Sequence, residues 1–119
     1  MGADLYMKLK NPKVWGFERS ARAVADGYFR DAYTDCSILW KYELSWWDDI
    51  AELKDEHGDI SVANAKAFLV MLIAREAVFE ANIRDESNET QQYFREGAKL
   101  LKRFLRDAIE LNSPIEASL

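Results

Sequence analysis

The side chains with the most capacity for chemistry crowd into residues 43–60. That stretch holds Glu43, Asp48, Asp49, Glu52, Asp55, Glu56 and Asp59 against Lys54 as its one base, a net charge of −6. Residues 1–42 carry +2 and residues 61–119 carry −1, so the imbalance of the whole chain (−5) is concentrated there. On a helix starting near Trp46, Asp48, Glu52 and Asp55 or Glu56 recur at threes and fours and share a face. Like charges stacked this way cost about 0.2–0.5 kcal/mol per pair. A fold keeps them when water screens the strip, when a helix terminus offsets them, or when a basic partner uses them. Asp48 and Asp49 fall in the first turn, where the helix dipole favours acids. The strip therefore reads as a solvated face, a surface for a basic partner, or a metal site.

The metal reading fails on spacing. An EF-hand loop needs acids at positions one, three and five, Gly at six and Glu at twelve. Counted from Asp55, Gly58 comes fourth and Lys66 twelfth. Asp48-Asp49-Ile50-Ala51-Glu52 resembles the first acidic motif of helical nucleotide pyrophosphatases, whose helix carboxylates hold magnesium. The Glu-x-x-Asp that this family needs next is missing, and Glu76 with Glu80 would have to replace it. A carboxylate–magnesium nucleotide hydrolase is thus an alternative and not the lead. His57, the one histidine, suits capping or a wet surface beside a helix C-terminus. Cys36 is expected to be a small core residue. One Cys and one His exclude an internal disulfide, a thiolate zinc site and His-pair metal sites. There is no Gly-rich phosphate loop. The expectation is a non-enzymatic protein with no catalytic residues, metal or cofactor.

Aromatic residues gather next to the acids. Tyr28, Phe29, Tyr33, Trp40, Tyr42, Trp46 and Trp47 lie within twenty residues. Helical neighbours point about 100° apart, so Trp46 and Trp47 cannot both face inward. One fills the core, and the other sits at the rim or under a covering segment. Tryptophan beside carboxylates is the chemistry of a surface that seats a basic protein. The expected partner-binding residues are Trp46, Trp47, Asp48, Asp49, Glu52, Asp55 and Glu56.

The elements that must position these side chains read as helical. The chain has 119 residues, 49% hydrophobic and 31% charged, with 5 Gly and 2 Pro. That is one globular domain with too few turn formers for a many-stranded sandwich or barrel. Residues 1–12 read as an extended arm; a lone strand there would need a second chain to form a sheet. Helix A is expected from about Val14 or Phe17 to Asp35, on Phe17, Ala21, Val24, Ala25, Tyr28, Phe29 and Ala32, with Gly27 as a costly interior residue. A turn or short helix follows at 37–43, then a firmer helix at 46–56 ended by Gly58. Helix C runs from Val62, capped by Asp59 or Ser61, to about Ile83. Its expected stripe is Ala67, Val70, Met71, Ala74, Ala77, Val78 and Ala81; its apolar breadth suits a bundle centre or an oligomer interface. Helix D runs from about Glu89 to Leu111 with Phe94, Ala98, Leu101, Phe104 or Leu105, and Ala108 as its seam, stopped at Asn112-Ser113-Pro114. Residues 113–119 are expected to fray. The fold class that results is all-α, a single four-helix-bundle-like domain.

Met1-Gly2-Ala3-Asp4-Leu5-Tyr6, Gly27-Tyr28-Phe29-Arg30-Asp31, Leu44-Ser45-Trp46-Trp47-Asp48-Asp49 and Tyr93-Phe94-Arg95 together resemble a set of small uncharacterised bacterial and phage-type proteins. The resemblance covers most of the chain. It implies a natural soluble protein and carries over no functional residue. The leading expectation is an acidic helical protein of the inhibitor, immunity or anti-defence type that occludes a basic surface on a protein partner. A second is a homodimer through helix 62–83 holding a small ligand or nucleotide in its groove. No membrane contact is expected, since the longest strongly apolar run is seven residues, Phe68–Ala74, nor direct nucleic-acid binding by so acidic a chain. A cytoplasmic location is expected.

Overall fold

A computed structural model of the chain describes residues 2–10 and 27–119. Strands β1 (Gly2–Met7), β2 (Tyr28–Ala32), β3 (Asp59–Ile60) and β4 (Ile115–Ser118) form one antiparallel sheet in the order β2-β1-β4-β3. Helices α1 (Ile38–Lys41), α2 (Val62–Ala74), α3 (Glu76–Ile83) and α4 (Asn88–Glu110) accompany it, with a π-helical turn at Trp46–Ile50 and a 3-10 turn at Ala51–Leu53. This is an α+β fold, and it overturns the all-α bundle.

The expected arm is the centre of the sheet. Ala3, Leu5 and Met7 alternate inward along β1 and are buried. Leu5 lies opposite Phe29 on one side and Ala117 on the other, so three distant segments share one apolar face. No second chain is needed. β2 occupies the end of expected helix A, whose earlier part lies outside the described residues. Tyr and Phe fit a pleated surface better than a helix. Gly27 adopts φ +83°, a value that glycine takes without strain. Its carbonyl accepts from the Met7 N–H (2.9 Å), locking the entry to β2. The expected frayed tail is β4: Ile115 and Ala117 point inward, Glu116 and Ser118 outward, and pairing with β1 and β3 orders them.

On the opposite face of the sheet, Asp4 lies across from Arg30 and Tyr6 across from Tyr28. The buried Tyr28 hydroxyl donates to Asp4, and Arg30 Nη1 lies 3.2 Å from the same carboxylate. Tyr28-Phe29-Arg30-Asp31 and Tyr93-Phe94-Arg95-Glu96 echo each other in sequence, yet the first is strand and the second helix.

The helical half follows its local signals more closely. Ser61 caps α2 by accepting from Asn64 N–H, and Ser87 caps α4 by accepting from Thr90 N–H. Expected helix C is divided at Arg75 (φ −112°, ψ 17°) into α2 and α3. α3 runs antiparallel to α4, tied to it through Glu76–Lys102 and Glu80–Arg95, and α2 packs against the same helix. The α4 seam of Phe94, Ala98, Leu101, Phe104, Leu105 and Ala108 is buried as expected. The α2–α3 seam is different. Ala65, Phe68, Leu72, Phe79 and Ile83 face the core, each large side chain contributing about 1.5–3 kcal/mol by burial. Ala67, Val70, Ala74, Ala77 and Ala81 face outward. Among the described residues, no helix is long and apolar enough to cross a membrane.

Candidate partner-binding surface

The expected helix at 46–56 is two short turns, and its start controls where the tryptophans go. Ser45 is extended, and its hydroxyl accepts from the N–H groups of Trp47 and Asp48 (3.2 and 3.3 Å). The Asp49 carboxylate accepts the Ser45 N–H in return (2.8 Å). The reciprocal cap uses up Asp49 locally. The next bond, Ile50 N–H to the Ser45 carbonyl at 3.1 Å, spans five residues and makes the turn π-helical.

Trp46 then points inward and is fully buried. Its indole meets Phe68 edge-on at 5.8 Å, and its Nε1–H donates to Asp31 (2.9 Å). Asp31 is itself fully buried. Its carboxylate also accepts from the Ala32, Ile38 and Leu39 N–H groups and the Ser37 hydroxyl at 2.9–3.1 Å. One side chain thereby fastens β2, the start of α1 and the tryptophan turn. Sequence reasoning missed it: a lone acid in an apparently amphipathic helix reads as surface, and its donors lie up to fifteen residues away.

Trp47 points outward and remains 54% exposed. Its ring lies 4.4 Å from that of Tyr33, tilted by 44°, so the exposed indole is braced from behind. Asp48 and Glu52 are exposed beside it, and neither meets a cation among the described residues. The other expected site residues divide. Asp55 accepts the N–H groups of His57 (2.8 Å) and Asp59 (3.0 Å), closing the turn at Gly58. Those contacts, with Asp59 N–H foremost, hold its carboxyl below the ordinary aspartate range. Glu56 lies 3.6 Å from the exposed His57. Of the seven expected residues, Trp47, Asp48, Glu52, Asp55 and Glu56 are exposed, Trp46 is core and Asp49 is half-buried; Asp49 and Asp55 also accept backbone N–H groups of their own turns.

The sequence did not locate a cleft of about 670 Å³ between α1, α3 and α4, with Asp35, Cys36, Trp40, Glu43, Glu86 and Phe94 in its lining. Cys36 is exposed there, not a core residue. Lys41 Nζ sits 4.8 Å from the centre of the Phe94 ring and 3.9 Å from Glu86, so the cleft holds an ammonium of its own. The exposed Trp40 was the available signal, but nothing local showed which helices would face it.

Glu76 and Glu80, which the hydrolase alternative needs as metal ligands, are engaged by Lys102 and Arg95. Among the described residues, no three acidic, His or Cys side chains converge to hold a metal ion. No protein-family model, curated protein or solved structure matches the chain.

Proposed function

We propose that the chain is a non-enzymatic binding protein that occludes a basic surface on a protein partner, in the manner of an inhibitor, immunity or anti-defence protein. The observation that carries this reading is Trp47, half-exposed and braced by Tyr33, beside the carboxylates of Asp48 and Glu52, which meet no cation among the described residues. A rigid exposed indole loses little side-chain freedom on burial and suits a central anchor. Carboxylates without internal partners bring no ion pairs to break, so they steer a cationic surface and then desolvate against it. Trp46 drops out of the binding set because the core encloses it, and Asp49 and Asp55 rank below Asp48 and Glu52 because each already accepts backbone N–H groups. Asp35 and Glu43, on the cleft that the Tyr33–Cys36 loop reaches, extend the same acidic and aromatic character.

The test is capture from lysate of the source cells with four baits: the native chain, Trp47→Ala, Asp48→Lys/Glu52→Lys, and Lys99→Ala on α4 as control. The expected result is a basic protein held by the native and control baits and lost from the other two, with thermal stability unchanged. Identical captures by all four, or none by any, overturn the reading.

A further inference from the structure

The outward side of α2 and α3 is a helix face without an intramolecular partner. Ala63, Val70 and Ala77 form one row, and Ala67, Ala74 and Ala81 the next, each at a spacing of seven. All six are exposed, Val70 by 63%. The flanking row at the same spacing is Lys66, Ile73 and Glu80, with Ile73 50% exposed. Such rows drift only about 20° per seven residues, so they stay on one side over the full length of about 30 Å. The interruption at Arg75 leaves them on a common side, because the inward row keeps its spacing across it: Phe68 and Leu72 before the break and Phe79 and Ile83 after it all face the core.

We propose that this face docks a second copy of the same chain, antiparallel, with the two-fold axis at Ile73. The argument is charge complementarity. Lys66 and Glu80 stand seven residues before and after Ile73, so an antiparallel pair sets each Lys66 opposite the other copy's Glu80, twice by symmetry. A parallel pair would oppose Lys66 to Lys66 and Glu80 to Glu80. Lys66 has no ion-pair partner among the described residues, whereas Glu80 offers a carboxylate 49% exposed and fixed by Arg95 at 2.7 Å. The alanine rows let two backbones approach closely while Val70 and Ile73 fill the centre. A strip one helix wide lies at or below the low end of the roughly 1,200–2,000 Å² of stable interfaces. The dimer is therefore expected to dissociate on dilution. This inference does not depend on the reading of the acidic surface.

Sedimentation equilibrium of the full chain, with a reductant to keep the exposed Cys36 a thiol, tests it between about 5 and about 500 µM. The expected result is a monomer at the low end and a dimer at the high end. Ile73→Arg, and independently Ala74→Arg, should leave a monomer throughout with an unchanged thermal melt, since both positions are exposed. Lys66→Glu should raise Kd about fivefold or more, whereas Lys66→Arg, which keeps the charge, should hold it within about twofold of the native value. A monomer at every concentration, a dimer unmoved by the arginine variants at 73 and 74, or a Kd unmoved by Lys66→Glu overturns the proposal.

Discussion

Asp31 with Trp46 and Asp48 with Trp47 pair the same two residue types in opposite environments. Inside, Trp46 donates to a carboxylate that collects four further hydrogen bonds, and every polar atom of the pair is matched. Outside, Trp47 rests on Tyr33 while Asp48 and Glu52 face water without a cation among the described residues. The difference comes from a single step along one turn. It teaches that a buried carboxylate is tolerated when backbone and indole N–H groups replace its water, and that an exposed one beside an indole is free to act on something else.

The contrast breaks most visibly by truncation. Trp46→Ala should cost about 3–5 kcal/mol by leaving a cavity and an unmatched Asp31. Trp47→Ala should cost under about 1 kcal/mol. Asp31→Ala should likewise lose about 3–5 kcal/mol, since it strands several buried donors at once, against about 0.5 kcal/mol or less for Asp48→Ala. Urea unfolding measures all four, and equal losses inside and outside would abolish the distinction.

A smaller effect is expected where the chain enters β2 and so positions Asp31. An alanine Cβ at Gly27 would lie 2.8 Å from Lys10 Cβ at φ +83°. Gly27→Ala should therefore destabilise by about 1–2 kcal/mol. A neutral result in the same unfolding assay would mean that the entry geometry is not demanding.

The inside–outside contrast extends to pH. Burial first, then the charge of Glu76, raises the Tyr42 phenol well above its ordinary value of 10.0. Burial and the bond to Asp4 do the same for Tyr28. A phenol that holds its proton more tightly when folded adds stability that is present below its ordinary pKa and is lost as pH rises above it. Tyrosinate absorbance should show these two ionising together with unfolding on the alkaline side, not before it. The smallest effect is at the exposed end of the scale. The hydrogen bonds from Arg95 hold the Glu80 carboxyl below its ordinary 4.5. The stability from that pair is present above 4.5 and fades as pH falls below it, and Arg95→Gln should flatten this slight acid slope in thermal melts.

Particular residues show what was readable. Ser61 and the Asn112-Ser113-Pro114 stop announce the start of α2 and the end of α4 because caps and breakers act within a few residues. The Ser45 cap and the need to separate Trp46 from Trp47 were equally visible, though not which indole turns in. Tyr28–Ala32 misled because Phe29 and Ala32 are three apart, which fits a helix as well as a strand. Asp49 and Asp55 look like members of a charged strip until their N–H partners are known.

The amino-acid order alone determined α4, the acidic stretch and the separation of the two neighbouring tryptophans, because each depends on interactions within a turn or two. Tertiary structure decided the sheet, which joins residues 2–7, 28–32 and 115–118 across nearly the whole chain. It also decided which side of α2 is interior. A helix apolar on most of its circumference has no inside until something packs against it, and here that something is α4.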